Sequence, residues 1–188
     1  MTVSTHDVAG FTSRFAAIII DIIVLFPLAV LLGKLMQYPR EVALLGAVAY
    51  GLMYPLYNIL LVGWFGQTVG KKVAGIRVEM VEGARITWKS AFLRHALDLL
   101  FGVVLIVGWI SVLSDPAFIS VGHVPRYYTL LKPKQSIFIW TGRFWTAWIW
   151  GELIVMLLNR RRRALHDFIA GTWVVQTRVT ESELPSVA

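Results

Sequence analysis

The feature that most constrains this chain is the gathering of its apolar residues into four long runs, about Phe15 to Leu32, Val42 to Phe65, Ala91 to Leu113 and Ile137 to Leu158. At 1.5 Å per helical residue, about 20 residues cross the ~30 Å hydrocarbon layer of a bilayer. Runs of this length therefore read as spans rather than as the core of a soluble domain. The whole chain agrees: 57% of its 188 residues are hydrophobic, 15% are charged and the mean hydropathy is +0.67. The expected fold is all-α and integral to the membrane, a single domain with about four transmembrane helices at 15–32, 42–65, 91–113 and 137–158. Arg14 precedes the first run as in a signal peptide, but no small-x-small cleavage site follows before the polar turn at 34–41, so the first helix is expected to stay attached.

A formal charge of +7 also fits a nucleic-acid binder, but here the basic residues lie between the apolar runs, where they report topology. Arg14, Lys71, Lys72, Arg77, Arg85, Lys89, Arg94, Arg160 to Arg163 and Arg178 put 12 basic residues on one side; Lys34, Arg40, Arg126, Lys132 and Lys134 put 5 on the other. The positive-inside rule then places both termini and the middle loop in the cytoplasm; the expected location is the inner membrane of a bacterial cell. Arg143 falls near the outer end of the fourth span, where its side chain can snorkel to the interface.

The cytoplasmic loop, 66–90, has strand character. Ile76, Val78 and Met80 alternate with Arg77 and Glu79, and Glu82-Gly83 forms a possible turn into Arg85-Ile86-Thr87-Trp88, which reads as a small β-hairpin. The Thr172 to Val175 segment of the tail, 159–188, is also rich in β-formers and is a candidate to pair with it. The external loop, 114–136, holds Pro116, Pro125 and Pro133 and is expected to be irregular.

Ionisable groups inside a span are costly and need a partner or a wet cavity. Counted from the cytoplasmic ends of their helices, Asp21, Asn58, Asp98 and Glu152 all lie about 9 to 11 Å deep. Four polar groups on four helices at one depth are candidates for a shared proton or monovalent-cation site. Tyr54 contributes from the same helix face as Asn58, with Tyr50 and Tyr57 at i, i+4, i+7 spacing. Pro27 and Pro55 add freed carbonyls at Ile23 and Gly51. The competing reading is that the layer only joins helices: Arg14 lies seven residues before Asp21 and Arg94 four before Asp98, so each arginine is placed to neutralise its neighbour. Glu152 has no such partner on its own helix.

Other chemistries lack their residues. The chain has no cysteine, and His6, His95, His123 and His166 lack metal-ligand spacing. The segment Gly66-Gln67-Thr68-Val69-Gly70-Lys71-Lys72 is not a Walker A loop, because Phe65 stands where the first Gly belongs and Lys72 where Ser or Thr belongs. It reads instead as a Gly-permitted exit from the second helix, with Lys71 and Lys72 at the lipid headgroups. No nucleophile with its base is visible, and neither an enzyme nor a bound cofactor is expected.

Three stretches together resemble the RDD family of membrane proteins: Ala9-Gly10-Phe11 with Arg14-Phe15-Ala16-Ala17 and Asp21; Gly66 to Lys71 continuing through Gly75-Ile76-Arg77-Val78; and Arg163-Ala164-Leu165-His166-Asp167 through Ala170-Gly171-Thr172. The resemblance implies that the family's one arginine and two aspartates are Arg14, Asp21 and Asp167, with Asp98 as the competing second aspartate. It implies a membrane protein with a suggested transport role. The leading expectation is a small homo-oligomeric transporter in which Asp21, with Asp98, Glu152, Asn58 and Tyr54, binds a proton or monovalent cation. The alternative is a non-transporting interaction protein whose hairpin and Arg160 to Asp167 segment dock a membrane or cytoplasmic partner.

Overall fold

The computed structural model describes residues 8–115 and 127–177, with the backbone alone for 127–135. Four long helices form a bundle: α1 (Phe11–Leu35), α2 (Arg40–Phe65), α5 (Ala96–Leu113) and α6 (Tyr127–Leu158). The short elements α3 (Val69–Val73), β1 (Ile76–Met80), α4 (Trp88–Arg94), α7 (Leu165–Ala170) and β2 (Thr172–Gln176) make a cap at one end. Of the long helices, α1, α2 and α5 are long and apolar enough to cross a membrane. Helix α6 has the length, but Arg143, Glu152 and its tryptophans lower its hydropathy.

Each bundle helix enters the cap through a local stop or start signal. Helix α2 ends at Gly66, whose N–H donates to the Val62 carbonyl at 2.8 Å and whose φ of 73° turns the chain out of the helix. Thr68 then caps α3 by accepting from Lys71 N at 3.2 Å, and Thr87 caps α4 by accepting from Ser90 N at 3.1 Å. Gly171, at φ 65°, turns α7 into β2.

The cap is built from three separate stretches of chain. Strands β1 and β2 pair antiparallel, with Val78 opposite Val174 and Met80 opposite Thr172. The N-terminal segment joins them through Ala9 N to the Val174 carbonyl at 2.9 Å and a bridge between Val8 and Val175. The hydrophobic centre, with Val62, Ile76, Val78, Ile86, Ala91 and Val174, sits where cap meets bundle. Both described ends of the chain and the α2–α5 connection thus share one end of the bundle.

Three expectations need correction. The β-hairpin within 66–90 reduces to one bridge, Glu79 to Arg85, and Trp88 opens α4 instead of closing a strand. The partner of β1 is the C-terminal strand, the β-rich segment expected as a candidate, which buries four successive residues and so offers a better apolar surface than the exposed Arg85 side. The third span does not begin at Ala91: the chain breaks at His95, whose φ of −113° and ψ of 15° leave the helical range, and α5 starts afresh at Ala96. Within the expected external loop, helix α6 already runs from Tyr127 through Pro133. Residues 116–126, including Arg126, and the tail beyond Thr177, including Arg178, lie outside the described residues, as do His6 and the side chains of Lys132 and Lys134.

Helices α2 and α5 cross at two glycines. A Cβ on Gly102 would stand 2.2 Å from the Gly51 carbonyl oxygen. That is the carbonyl freed by Pro55, and it is packed against the neighbouring helix instead of facing an open site. Ile23, the residue freed by Pro27, lies on an outward face and is 64% exposed.

Candidate functional site

Asp21 is 5% exposed and holds the cap to the bundle. Its carboxylate accepts from Tyr57 Oη at 2.6 Å, Thr68 Oγ1 at 2.6 Å and the Gly70 N–H at 2.7 Å. Tyr57 in turn accepts from Val69 N at 3.1 Å. Three donors from the protein itself thus meet its two oxygens. The approach depends on glycine: a Cβ at Gly70 would lie 2.1 Å from the Ala17 carbonyl oxygen.

Asp167 is fully buried at the start of α7 and is the centre of a second knot. Arg14 of α1 reaches it at 3.1 Å, and Arg94 at the end of α4 binds its other oxygen. Arg94 also donates to Thr172 Oγ1 at 2.8 Å, while the Ala164 N–H donates to Asp167 Oδ2 at 3.0 Å. Ala164 has no side-chain oxygen, so only this half of a capping box exists. Burial opposes the charge on Asp167, but Arg94, His166 and Arg14 together outweigh it and hold the carboxyl well below the usual carboxylate range. Arg163 encloses the turn by donating to the carbonyls of Asp167 and Thr172 at 2.9 and 3.0 Å.

Both arginines therefore bypass the aspartates that the sequence offers them. Arg14 does not pair with Asp21, nor Arg94 with Asp98; a residue far along the chain takes both. Asp98 instead lies 2.7 Å from His95 Nδ1, and Glu152 binds His166 Nδ1 and accepts from the His166 N–H at 3.3 Å. The two imidazoles stack at 6.4 Å between centroids, and His166 Nε2 lies 3.8 Å from Asp167. Burial lowers His95 to about 4 despite Asp98, so its ring is neutral at physiological pH. Its Nε2 has no hydrogen-bond partner among the described residues.

Lys71 turns inward, not out to the headgroups. Its ammonium lies within electrostatic reach of Arg94, Asp21, Asp167 and Arg14, with one long contact of 3.5 Å to Thr68 Oγ1. Burial, reinforced by Arg94, pushes it down to about 8. Lys72, its neighbour, is exposed.

The five ion-site candidates thus divide. Asp21 and Asn58 are sealed, Asn58 at 2% exposure and donating to the Tyr54 carbonyl at 3.1 Å. Asp98 and Glu152 keep 14% and 19% of their side chains exposed, and His166 keeps 20%. Tyr54 packs edge-on against Trp145 of α6 and lies within reach of Asp98, Asp21 and Glu152 at once. Thr68, Gly70, Lys71, His95, His166 and Thr172 were not among the candidates. The i, i+3 spacing of His95 and Asp98 was a readable signal; the joining of His166 to Glu152 was not, since 14 residues and a chain reversal separate them. Among the described residues no three His, Cys, Asp or Glu side chains converge as a metal site requires.

A profile of the RDD family matches residues 8–171, a range that holds the layer from Arg14 to Asp167. Among curated proteins, the chain is 26% identical over 179 residues to an uncharacterized protein, YckC, of Bacillus subtilis (strain 168), covering 94% of this chain and 89% of that one. It is 30% identical over 102 residues to an uncharacterized membrane protein, YteJ, of the same organism, covering 50% and 62% respectively. No solved structure matches.

Proposed function

This chain belongs to the RDD family, and we propose that it is a small multi-pass transporter of the bacterial inner membrane that carries a proton, or a monovalent cation in its place, on the ionic layer between cap and bundle. The observation that carries this reading is that two of the four carboxylates in that layer, Asp98 and Glu152, each meet a histidine, His95 and His166. Of the other two carboxylates, Asp167 takes up Arg14 and Arg94, with Arg163 closing its turn, and Asp21 is filled by Tyr57, Thr68 and Gly70, with Lys71 nearby. A carboxylate beside an imidazole can hold one proton between them, which is what a carrier of a proton, or of a monovalent cation in its place, requires.

The exchangeable position is Glu152 with His166, not Asp21. Asp21 has its oxygens filled by three donors, whereas Glu152 and His166 keep 19% and 20% of their side chains exposed. A protonated His166 would meet a carboxylate at each ring nitrogen, Glu152 at one and Asp167 at the other. On this reading the chain is not an enzyme, the cap and both termini are cytoplasmic by the excess of basic residues, and four helices move their cargo as a homo-oligomer.

A second reading has its own support. The completeness of the Asp21 and Asp167 knots suits a rigid scaffold whose cap docks a membrane or cytoplasmic partner. The test is proton flux in proteoliposomes carrying a pH gradient, with and without monovalent cations, comparing the wild type with Glu152→Gln. Flux that falls at least tenfold in folded Glu152→Gln supports transport through this pair. A folded, correctly oriented wild type without flux sinks the transport reading and leaves the scaffold.

A further inference from the structure

The three short helices of the cap each have two faces. Inward, α3 presents Thr68 and Gly70 to Asp21, α4 ends on Arg94 and His95, and α7 carries His166 and Asp167. Outward, each exposes two large apolar residues: Val69 and Val73 at 42% and 67%, Trp88 and Phe92 at 47% and 48%, Phe168 and Ile169 at 47% and 52%. Isolated exposed apolar residues need no explanation, but the same pattern on three helices from separate parts of the chain is a surface.

We propose that these three helices form a collar seated in the headgroup layer of an anionic leaflet, with their apolar pairs at the acyl boundary. Continuity argues for lipid as the occupant: Trp64 and Phe65, the last residues of the α2 span, are 51% and 67% exposed and lead directly into α3. Charge argues for anionic lipid. Exposed Lys72 stands beside Val73, exposed Lys89 beside Trp88, and Arg163 lies 4.3 Å over the Phe168 ring, while the one carboxylate on these helices, Asp167, faces inward. Amphipathic helices with apolar and basic residues so arranged lie in the plane of the interface. Because the same helices supply the inward partners of Asp21, Arg14 and Glu152, the lipid surface becomes one wall of the structure that holds the ionic layer together. This collar is independent of whether a proton moves.

The chain has no cysteine, so single cysteines at Val73, Phe92 and Ile169 each carry one nitroxide label on the full-length protein without further changes. Labels are read in vesicles of phosphatidylcholine, with and without phosphatidylglycerol, as collision with oxygen against a water-soluble nickel chelate. A label at Glu82, exposed at the tip of the β1 turn, gives the aqueous reference. All three collar labels are expected to show an oxygen-to-nickel ratio several-fold above Glu82, at one shared depth. Val69, Trp88 and Phe168 replace any site whose variant does not fold. Collar labels as open to nickel as Glu82 overturn the proposal, and so do labels closed to both reagents, which would mark a protein or a second copy as the occupant. Addition of phosphatidylglycerol is expected to deepen the labels, and Lys72→Gln with Lys89→Gln to abolish that deepening. Depths that ignore phosphatidylglycerol overturn the anionic assignment.

Discussion

Replacing Gly70 by alanine tests the reading of Asp21 as the clamp between cap and bundle. The new Cβ would stand 2.1 Å from the Ala17 carbonyl oxygen and 2.8 Å from the Asp21 carboxylate, and both sit on α1. Separations under 3.0 Å do not persist, so α3 has to withdraw from the Ala17 carbonyl by about 0.9 Å or more (3.0 less 2.1). A bond of 2.7 Å from Gly70 N to Asp21 does not survive that shift, and Thr68, one residue beyond Val69 in the same turn, retreats with it. Each hydrogen bond to a charged group is worth about 1.5–3 kcal/mol, and a buried carboxylate left short of donors adds its own cost. The expected loss is about 3–5 kcal/mol, less about 0.5–1 kcal/mol that alanine recovers as the better helix former. The control is Gly142→Ala in α6, where nothing lies within 4 Å of the new atom, so only the propensity gain remains. Thermal unfolding of the three proteins in one detergent reads the difference. A Gly70→Ala protein that melts with the wild type would refute the clamp.

Asp167→Asn leaves Arg14 and Arg94 without their shared counter-charge and is expected to cost about 3–5 kcal/mol, seen as a lower melting temperature or loss of folded yield. The Asp167 folded pKa lies below its unfolded value, so its stabilisation is complete above the ordinary carboxylate range and is lost only as pH falls toward the folded value. A wild-type melting temperature that drops between pH 7 and 5 because of Asp167, and is therefore flat in Asp167→Asn, would contradict this. Lys71 behaves oppositely: its folded value, about 8, lies below the ordinary 10.5, so between these the unfolded chain binds more protons and stability rises with pH. Lys71→Met is expected to abolish that rise while matching or exceeding wild-type stability at pH 7; a lower melting temperature there would show the ammonium to be stabilising.

The apolar runs alone determined that this chain lives in a membrane, and roughly where its helices lie, because a bilayer imposes length and apolarity on any segment that crosses it. The caps were also local: Thr68 and Thr87 stand at helix starts, and Gly66 and Gly171 at stops, whatever lies around them. Depth counting put Asp21, Asn58, Asp98 and Glu152 at one level, and the fold turns all four inward. Tertiary structure decided the pairings. Arg14 and Arg94 had carboxylates nearer in sequence, yet both bind Asp167, because the β1–β2 register carries the C-terminal turn back under the bundle. The same return brings His166 to Glu152, and the close approach at Gly70 gives Asp21 a backbone donor. Helix periodicity fixes which residues share a face, but a charge pairs with whatever the chain reversal brings within about 3 Å, and no local pattern encodes that distance.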